Sequence, residues 1–139
     1  ALQKEEYNTE ECLMRIRNFI QPFNRYYPHI QFSVKGTADT SKKLNNNKSL
    51  NLVRIVQEAV TNAIKHANAT HIDVSSEMLE DVWKIIVTDN GTGFIVSKME
   101  KAGGNGLGNM KQRAKDAGFD IILDSAGVAG TSITILVRL

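Results

Sequence analysis

The sequence predicts a two-layer α/β (α+β) sandwich, with a mixed, mostly antiparallel sheet covered on one face by helices. Three stretches place apolar residues at helical spacing and five shorter ones alternate apolar with polar residues as strands do. Helices and strands interleave along the chain, and no internal repeat or composition shift divides it. A length of 139 residues therefore fits one packed domain.

Composition excludes several classes of protein. Apolar residues make up 42% of the chain and charged residues 23%, which is ordinary for a globular protein. The 17 basic and 15 acidic side chains leave a net charge of +2 without a run of five like charges, so no nucleic-acid partner is expected. Cys12 is the only cysteine, which excludes an internal disulfide, and its apolar neighbours predict a core position. No apolar run approaches the roughly 20 residues that span a bilayer, so we expect a soluble domain of a reducing compartment.

The first third of the chain predicts one helix, one strand and a loop. Thr9 is a plausible N-cap for a helix over residues 9–25, and Pro22 should kink or end it. Residues 30–34 alternate as a half-buried strand, and residues 36–48 are polar and aperiodic, which predicts a surface loop. The predicted inner face of the first helix is Cys12, Leu13, Ile16, Phe19, Ile20 and Phe23.

The central helix is predicted to begin at Ser49 and to run to about Ala67. Its apolar residues recur at helical spacing, so one face should lie in the core. They are Val53, Val56, Ala59, Val60, Ala63, Ile64 and Ala67.

Four polar residues, Glu58, Asn62, Lys65 and His66, interrupt that pattern at spacings of three and four. Residues so spaced share one side of a helix. A carboxylate can orient water or a hydroxyl, and an amide oxygen is a hard ligand for Mg²⁺. An ammonium would meet phosphate, and an imidazole would meet a ribose or a base. The set therefore suits a nucleotide with its magnesium, and the alternative is a solvated polar side of an amphipathic helix.

A predicted antiparallel hairpin follows a short turn over residues 68–70. Its strands are residues 72–79 and 82–87, and the second ends in Asp-Asn-Gly-Thr-Gly at residues 89–93. The carboxylate of Asp89 could accept the exocyclic N–H of adenine, and glycines would let the ring approach the backbone. The alternative is a plain turn, because Asp-Asn-Gly is strong turn chemistry.

A second glycine-rich stretch, residues 103–109, leads directly into a helix predicted over residues 107–118. Successive backbone N–H groups at a helix N-terminus form an anion site. No Gly-Lys-Ser/Thr follows, so the stretch is not a P-loop. Residues 95–104 are expected to be mobile, and residues 120–124 and 132–139 alternate as two last strands. Met110, Ala114 and Ala117 should face inward, with Gly118 as the helix stop.

The order of these motifs resembles the GHKL superfamily, whose ATP site is the Bergerat fold. Residues 58–66 look like its N box, residues 89–93 its G1 box, residues 104–108 its G2 box, and Gly130-Thr131 its final Gly-Thr motif. Within the superfamily, residues 30–139 look most like the ATP-binding catalytic domain of bacterial sensor histidine kinases of the NarX/DesK-like subfamily.

The resemblance implies ATP and Mg²⁺ as cofactors and assigns roles residue by residue. Glu58 would orient or activate the attacking group, Asn62 would ligate Mg²⁺, and Asp89 would accept from the adenine amino group. The glycines of the second box would hinge a lid over the phosphates. The implied ATP contacts are Asn62, Lys65, His66, Asp89, Gly91, Gly93, Gly104, Gly106, Leu107, Gly108 and Thr131.

One departure from the kinase pattern concerns the acceptor histidine, which in these kinases is normally followed by Asp or Glu. His29, His66 and His71 are followed by Ile, Ala and Ile. We therefore expect residues 1–28 to be a connector helix from a dimerisation and phosphoacceptor region, and residues 29–139 to be the catalytic domain. The implied partners are that acceptor domain and a response regulator. The resemblance further implies a homodimeric full-length kinase of which this is a cytoplasmic portion, with or without a membrane anchor.

Three alternative functions stay open: two other activities of the same superfamily and a scaffold that binds no nucleotide. An anti-sigma-factor serine kinase also carries Glu-Ala-x-Thr-Asn-Ala, but the segment of residues 106–114 and the long first helix speak against it. An ATP-gated clamp of the MutL, gyrase or ninety-kilodalton heat-shock type would need a longer lid and a transducer domain. A nucleotide-free scaffold is disfavoured because every polar site position is filled.

Overall fold

The structure, a computed structural model, describes residues 5–91, 106–125 and 130–139. In chain order the elements are β1 (Glu6–Asn8), α1 (Thr9–Ile20), α2 (Phe23–Tyr26), β2 (Gln31–Gly36), β3 (Lys43–Asn45), α3 (Asn46–His66), β4 (His71–Leu79), β5 (Val82–Asp89), α4 (Gly106–Ala117), β6 (Asp120–Ser125) and β7 (Thr131–Arg138). No helix in these ranges is both long and apolar enough to span a bilayer.

The main sheet has five strands in the order β2-β4-β5-β7-β6. β2 pairs with β4 in parallel and every other neighbouring pair is antiparallel. Buried residues alternate along β4, β5 and β7, because successive side chains point to opposite faces. The buried face packs against the helices in one continuous core, so the predicted two-layer fold is confirmed.

The N-cap of the first helix lies one residue earlier than the sequence predicted. Asn8, not Thr9, is the N-cap, and a capping box joins its side chain to the Glu11 backbone N–H and the Glu11 carboxylate to the Asn8 N–H. The Thr9 hydroxyl is buried and bonds to Asp39 instead. The helix ends at Ile20, before residue 25, and the predicted break at Pro22 is confirmed, because this proline starts the separate turn α2.

The prediction of a surface loop over residues 36–48 is wrong in part. β3 lies inside it and pairs antiparallel with β1, a strand the sequence did not predict. Asn45 at the end of β3 caps α3 by accepting the Lys48 N–H at 2.8 Å, so the predicted cap, Ser49, lies inside the helix. Ser49 is buried and contacts Cys12, whose predicted core position is confirmed. Burial raises the pKa of the Cys12 thiol.

The later elements agree with the sequence. The hairpin of β4 and β5, the helix α4 followed by Gly118, and the two last strands all form within one or two residues of their predicted ends. The predicted inward residues of α4 are buried: Met110, Ala114 and Ala117.

The largest fully buried side chain, Trp83, has its one polar atom paired inside the sheet. Trp83 Nε1–H donates to Ser76 Oγ at 2.7 Å, and that hydroxyl donates to the Thr37 carbonyl at 2.7 Å. The hydroxyl of Ser76 therefore satisfies an indole N–H that would otherwise be buried without a partner.

We expect Ser76→Ala to lower the free energy of unfolding by about 1–3 kcal/mol, because it leaves the Trp83 N–H unpaired in the core. Urea unfolding followed by the fluorescence of this single tryptophan measures the loss. Ser75→Ala, at the half-buried neighbouring position on the same strand, is the matched control. Equal stabilities of the two variants would contradict the pairing.

Candidate functional site

The polar side of α3 passes from buried to exposed toward the end of the helix. Glu58 is half-buried, Asn62 is 7% exposed, and Lys65 and His66 in the last turn are exposed. Spacings of three and four residues keep these side chains on one side of the helix, as the sequence predicted. The carboxylate of Glu58 and the amide of Asn62 are thus more buried than the ammonium of Lys65 and the imidazole of His66.

Asn62 is exceptional among buried polar residues of the described ranges. Its amide nitrogen has no hydrogen-bond partner within residues 5–91, 106–125 and 130–139. Leaving a buried amide unpaired costs about 1–3 kcal/mol. An amide can turn to present either its NH₂ group or its carbonyl oxygen, so this position can serve a donor, an acceptor or a cation.

Asp89 closes β5 and is held by backbone N–H groups on both sides. Gly91 N–H donates to Asp89 Oδ1 at 2.9 Å, and the Thr131 N–H also bonds the carboxylate. Burial raises the pKa of the Asp89 carboxyl above its ordinary value, and these two hydrogen bonds oppose the rise without cancelling it. The result is a partly desolvated carboxylate at the end of a central strand.

Two glycines allow the backbone around Asp89 to pack closely against neighbouring backbone. A Cβ added to Gly91 would lie 1.9 Å from the carbonyl oxygen of Ala67, at the end of α3. Gly130 has a φ of +91°, and a Cβ there would lie 2.0 Å from the Asp89 carbonyl oxygen. Both neighbours are backbone, which cannot move aside, so only glycine fits. Three predicted segments therefore meet here: the end of α3, the turn after β5 and the start of β7.

The second glycine-rich stretch leads into α4, which packs against α3. Gly106 is its first residue, Leu107 is buried in the core, and Gly108 is exposed. A Cβ at Gly108 would meet nothing within 4 Å, so packing among the described residues does not require glycine there. Gly93, Gly104 and the predicted lid lie outside the described residues.

The sequence did not predict the role of Asn90. Its Oδ1 accepts the N–H groups of Thr70 and His71, at 2.9 and 2.8 Å, and its Nδ2 donates to Thr70 Oγ1 at 2.8 Å. These bonds fasten the turn after β5 to the turn after α3. An Asn-Gly pair directly after a strand was the available signal, but it indicates only a turn and not its partners.

Comparison with known families and curated proteins gives a consistent result. Residues 47–139 match the family described as histidine kinase-, DNA gyrase B- and HSP90-like ATPases. An uncharacterised sensor-like histidine kinase from Chloroflexus aurantiacus is 37% identical over 109 residues, which cover 75% of this chain and 18% of that protein. The sensor protein VraS of Staphylococcus epidermidis is 38% identical over 85 residues, covering 60% of this chain and 24% of that protein. The chain thus spans a quarter or less of these curated relatives.

Solved structures agree on the fold. The mycobacterial sensor histidine kinase MprB superimposes with a TM-score of 0.75 at 21% identity, covering 98% of this chain and 97% of the solved one. At this identity the likeness concerns the fold alone.

The raised pKa of Asp89 predicts a pH-dependent stability cost. A carboxyl whose pKa is higher in the folded state binds its proton more tightly there, so the free energy of unfolding falls as pH rises from about 4 through the raised value. Asp89→Asn keeps an oxygen for the Gly91 N–H and carries no charge. We expect it to be more stable than the unmodified chain at pH 7, with a gain that shrinks toward pH 4. Urea unfolding at a series of pH values measures this.

The control for this prediction is Asp124→Asn, at an exposed aspartate on β6. A gain for Asp89→Asn that is independent of pH, or no gain at all, would show that its carboxylate is not desolvated.

Proposed function

The chain belongs to the family of histidine kinase-, DNA gyrase B- and HSP90-like ATPases, and on that premise we propose that it is the ATP-binding catalytic domain of a sensor protein-histidine kinase. Its reaction transfers the γ-phosphoryl group of ATP to a histidine on a phosphoacceptor domain outside these residues. The similarity to sensor histidine kinases supports this choice over the anti-sigma-factor serine kinase.

The observation that carries the proposal is the buried amide nitrogen of Asn62, which has no hydrogen-bond partner among the described residues. A buried amide nitrogen without an acceptor is destabilising in the protein alone. It gains a partner when a phosphate oxygen lies beside it, and if the amide turns, its oxygen can instead bind a cation. Mg²⁺ prefers oxygen ligands and commonly takes only one or two from protein, with phosphates and water supplying the rest. Asn62 fits that requirement, and bound Mg²⁺ would supply charge neutralisation between the phosphates.

Asp89 provides the base-reading end of the site. A carboxylate offers about four lone-pair positions, and the Gly91 and Thr131 N–H groups use only part of them. The remainder can accept the amino group of adenine. Thr131 is buried and lies opposite Asp89 on the paired strand, so its side chain would assist in holding the base, and Gly93 would keep the ring close to the backbone.

The remaining residues serve the phosphates and the attacking group. Glu58, one turn before Asn62, would orient the acceptor imidazole, while Lys65 would contact phosphate and His66 the ribose or adenine. Gly104, Gly106, Leu107 and Gly108 would wrap the phosphates at the start of α4. Phosphoryl transfer needs little beyond positioning and charge stabilisation, and this set supplies both.

The proposed partners follow from the same reaction. None of the chain's three histidines is followed by Asp or Glu, so the acceptor lies on another domain, joined through residues 1–28. A response regulator would then receive the phosphoryl group. As the resemblance to sensor kinases implies, the reaction would take place in the cytoplasm, within a homodimer.

We expect Asn62→Ala to abolish the magnesium dependence of ATP binding without unfolding the chain, because the amide nitrogen has no hydrogen bond within the described residues to lose. Titration of a fluorescent ATP analogue, with and without Mg²⁺, measures the change. Asn51→Ala, nearer the start of α3, is the control and should bind like the unmodified chain. Unfolding of Asn62→Ala would indicate a structural role, and unchanged magnesium dependence would remove Asn62 from the metal site.

The second expectation concerns phosphoryl transfer. With radiolabelled ATP, this chain alone should acquire no acid-labile label, because correct alignment of the nucleophile is worth up to about 7–11 kcal/mol and none of the three histidines is followed by the Asp or Glu of an acceptor. Addition of a separately expressed acceptor bundle should place acid-labile label on that bundle. Label on His29, His66 or His71 would contradict the reading, and acid-stable label on a partner serine would favour the anti-sigma-factor kinase.

A further inference from the structure

Asn90 stands at the point where β5 stops following its partner strand. The last paired residues of β4 and β5 are Ile72 and Asp89, so regular pairing would next place Asn90 opposite His71. Such a pair in an antiparallel ladder exchanges two backbone hydrogen bonds. One of them forms, from Asn90 N–H to the His71 carbonyl at 3.2 Å.

In the second hydrogen bond of this pair, the His71 N–H would donate to the Asn90 main-chain carbonyl, but it donates to the Asn90 side chain instead. His71 N–H donates to Asn90 Oδ1 at 2.8 Å, and the neighbouring Thr70 N–H donates to the same oxygen at 2.9 Å. The side-chain carbonyl thus takes the place of the main-chain carbonyl, so the main chain can leave the ladder directly after Asp89. Two N–H groups facing one atom also fix the orientation of the amide, since only its oxygen can accept both.

The amide nitrogen of Asn90 completes the attachment. Nδ2 donates to Thr70 Oγ1 at 2.8 Å and lies 3.2 Å from His71 Nδ1. Thr70 is itself held from the other side, because its carbonyl accepts the Gln31 N–H of β2 at 2.7 Å. The turn to which Asn90 attaches is therefore anchored to the edge strand as well as to α3.

The two residues beside Asn90 are the ones whose positions matter for the nucleotide. Asp89 precedes it, and Gly91 follows it in backbone contact with Ala67 at the end of the helix that carries Asn62. A shift of residue 90 would displace the carboxylate from α3 and open the close approach of Gly91.

We propose that Asn90 is a positioning residue for nucleotide recognition: its amide holds the Asp89 carboxylate at a fixed place relative to the turn that ends the Asn62 helix. It acts through Asp89 and need not touch the nucleotide. The inference rests on the proposed function, since it concerns the affinity and base selectivity of that ATP site.

The test compares Mg-ATP and Mg-GTP binding by calorimetry for six proteins at a temperature where each is folded. They are the unmodified chain, Asn90→Ala, Asn90→Asp, Thr70→Val, Asp89→Asn and Ser76→Ala. Asn90→Ala loses every side-chain bond and should bind ATP about tenfold more weakly, the effect of roughly one to two lost hydrogen bonds. Its preference for ATP over GTP should shrink, because the base-reading carboxylate is no longer held.

Asn90→Asp keeps the oxygen that accepts from Thr70 and His71 and loses the Nδ2 donor, so it should retain most of the affinity and the preference. It also keeps the test decisive if Asn90→Ala does not fold. In that case the inference requires Asn90→Asp to bind nearly normally and Thr70→Val, which loses only the Oγ1 partner, to bind within about threefold of the unmodified chain. Loss of ATP preference in Asn90→Asp equal to that of Asp89→Asn would overturn it.

Ser76→Ala controls for stability, since it weakens the sheet away from this turn and should leave ATP affinity within about twofold. If Asn90→Ala is destabilised but binds both nucleotides like the unmodified chain, Asn90 is a structural turn residue and the inference is wrong. If the unmodified chain binds no ATP, the proposed function fails and the inference fails with it. These two failures are distinguished by the unmodified protein alone.

Discussion

The candidate site depends on one backbone contact, the approach of Gly91 to the carbonyl of Ala67. This contact sets how closely the end of β5 can lie to the end of α3, and any side chain at residue 91 would overlap that carbonyl. On one side of the contact are the amide and carboxylate of α3, and on the other is Asp89. Gly130 makes the corresponding approach to the main-chain carbonyl of Asp89 just before β7, so the turn after β5 is packed against backbone on two sides. Such close backbone packing gives a rigid site without consuming the polar side chains that chemistry needs.

The site contains two buried polar groups that destabilise the folded state, whereas the buried polar groups elsewhere in the described structure are paired. The indole of Trp83 is paired, and the buried hydroxyl of Thr9 bonds to Asp39. Asn62 has a buried amide nitrogen without a partner among the described residues, and Asp89 has a carboxyl whose pKa is raised by burial. Natural proteins retain such local destabilisation where it serves binding, because a ligand restores the missing interactions. The two costs lie on the two segments that the Gly91 contact brings together.

Much of this arrangement could be predicted from the sequence, for identifiable reasons. The polar interruptions of α3 followed helical spacing, and the strand before Asp89 was nearly continuous in apolar residues, so both positions were predictable. The pairing of β1 with β3 was not, because each strand has three residues and periodicity needs a longer stretch. The attachments of Asn90 and Ser49 were also missed. A short polar side chain near a turn has many local partners to choose from, and only tertiary packing selects among them.

The central claim is that α3, the turn after β5 and the start of β7 form one site for ATP and Mg²⁺. The most direct measurement is a two-dimensional amide NMR titration of isotopically labelled protein with Mg-ATP, which observes the Asn62 side-chain NH₂ and the backbone N–H groups together. The account predicts that the Asn62 side chain, Gly91 and Thr131 shift in one saturating transition, while Ser76 and the Trp83 indole stay in place. Saturating shifts that leave Asn62 and Gly91 unaffected would contradict it, as would the absence of any shift at millimolar Mg-ATP.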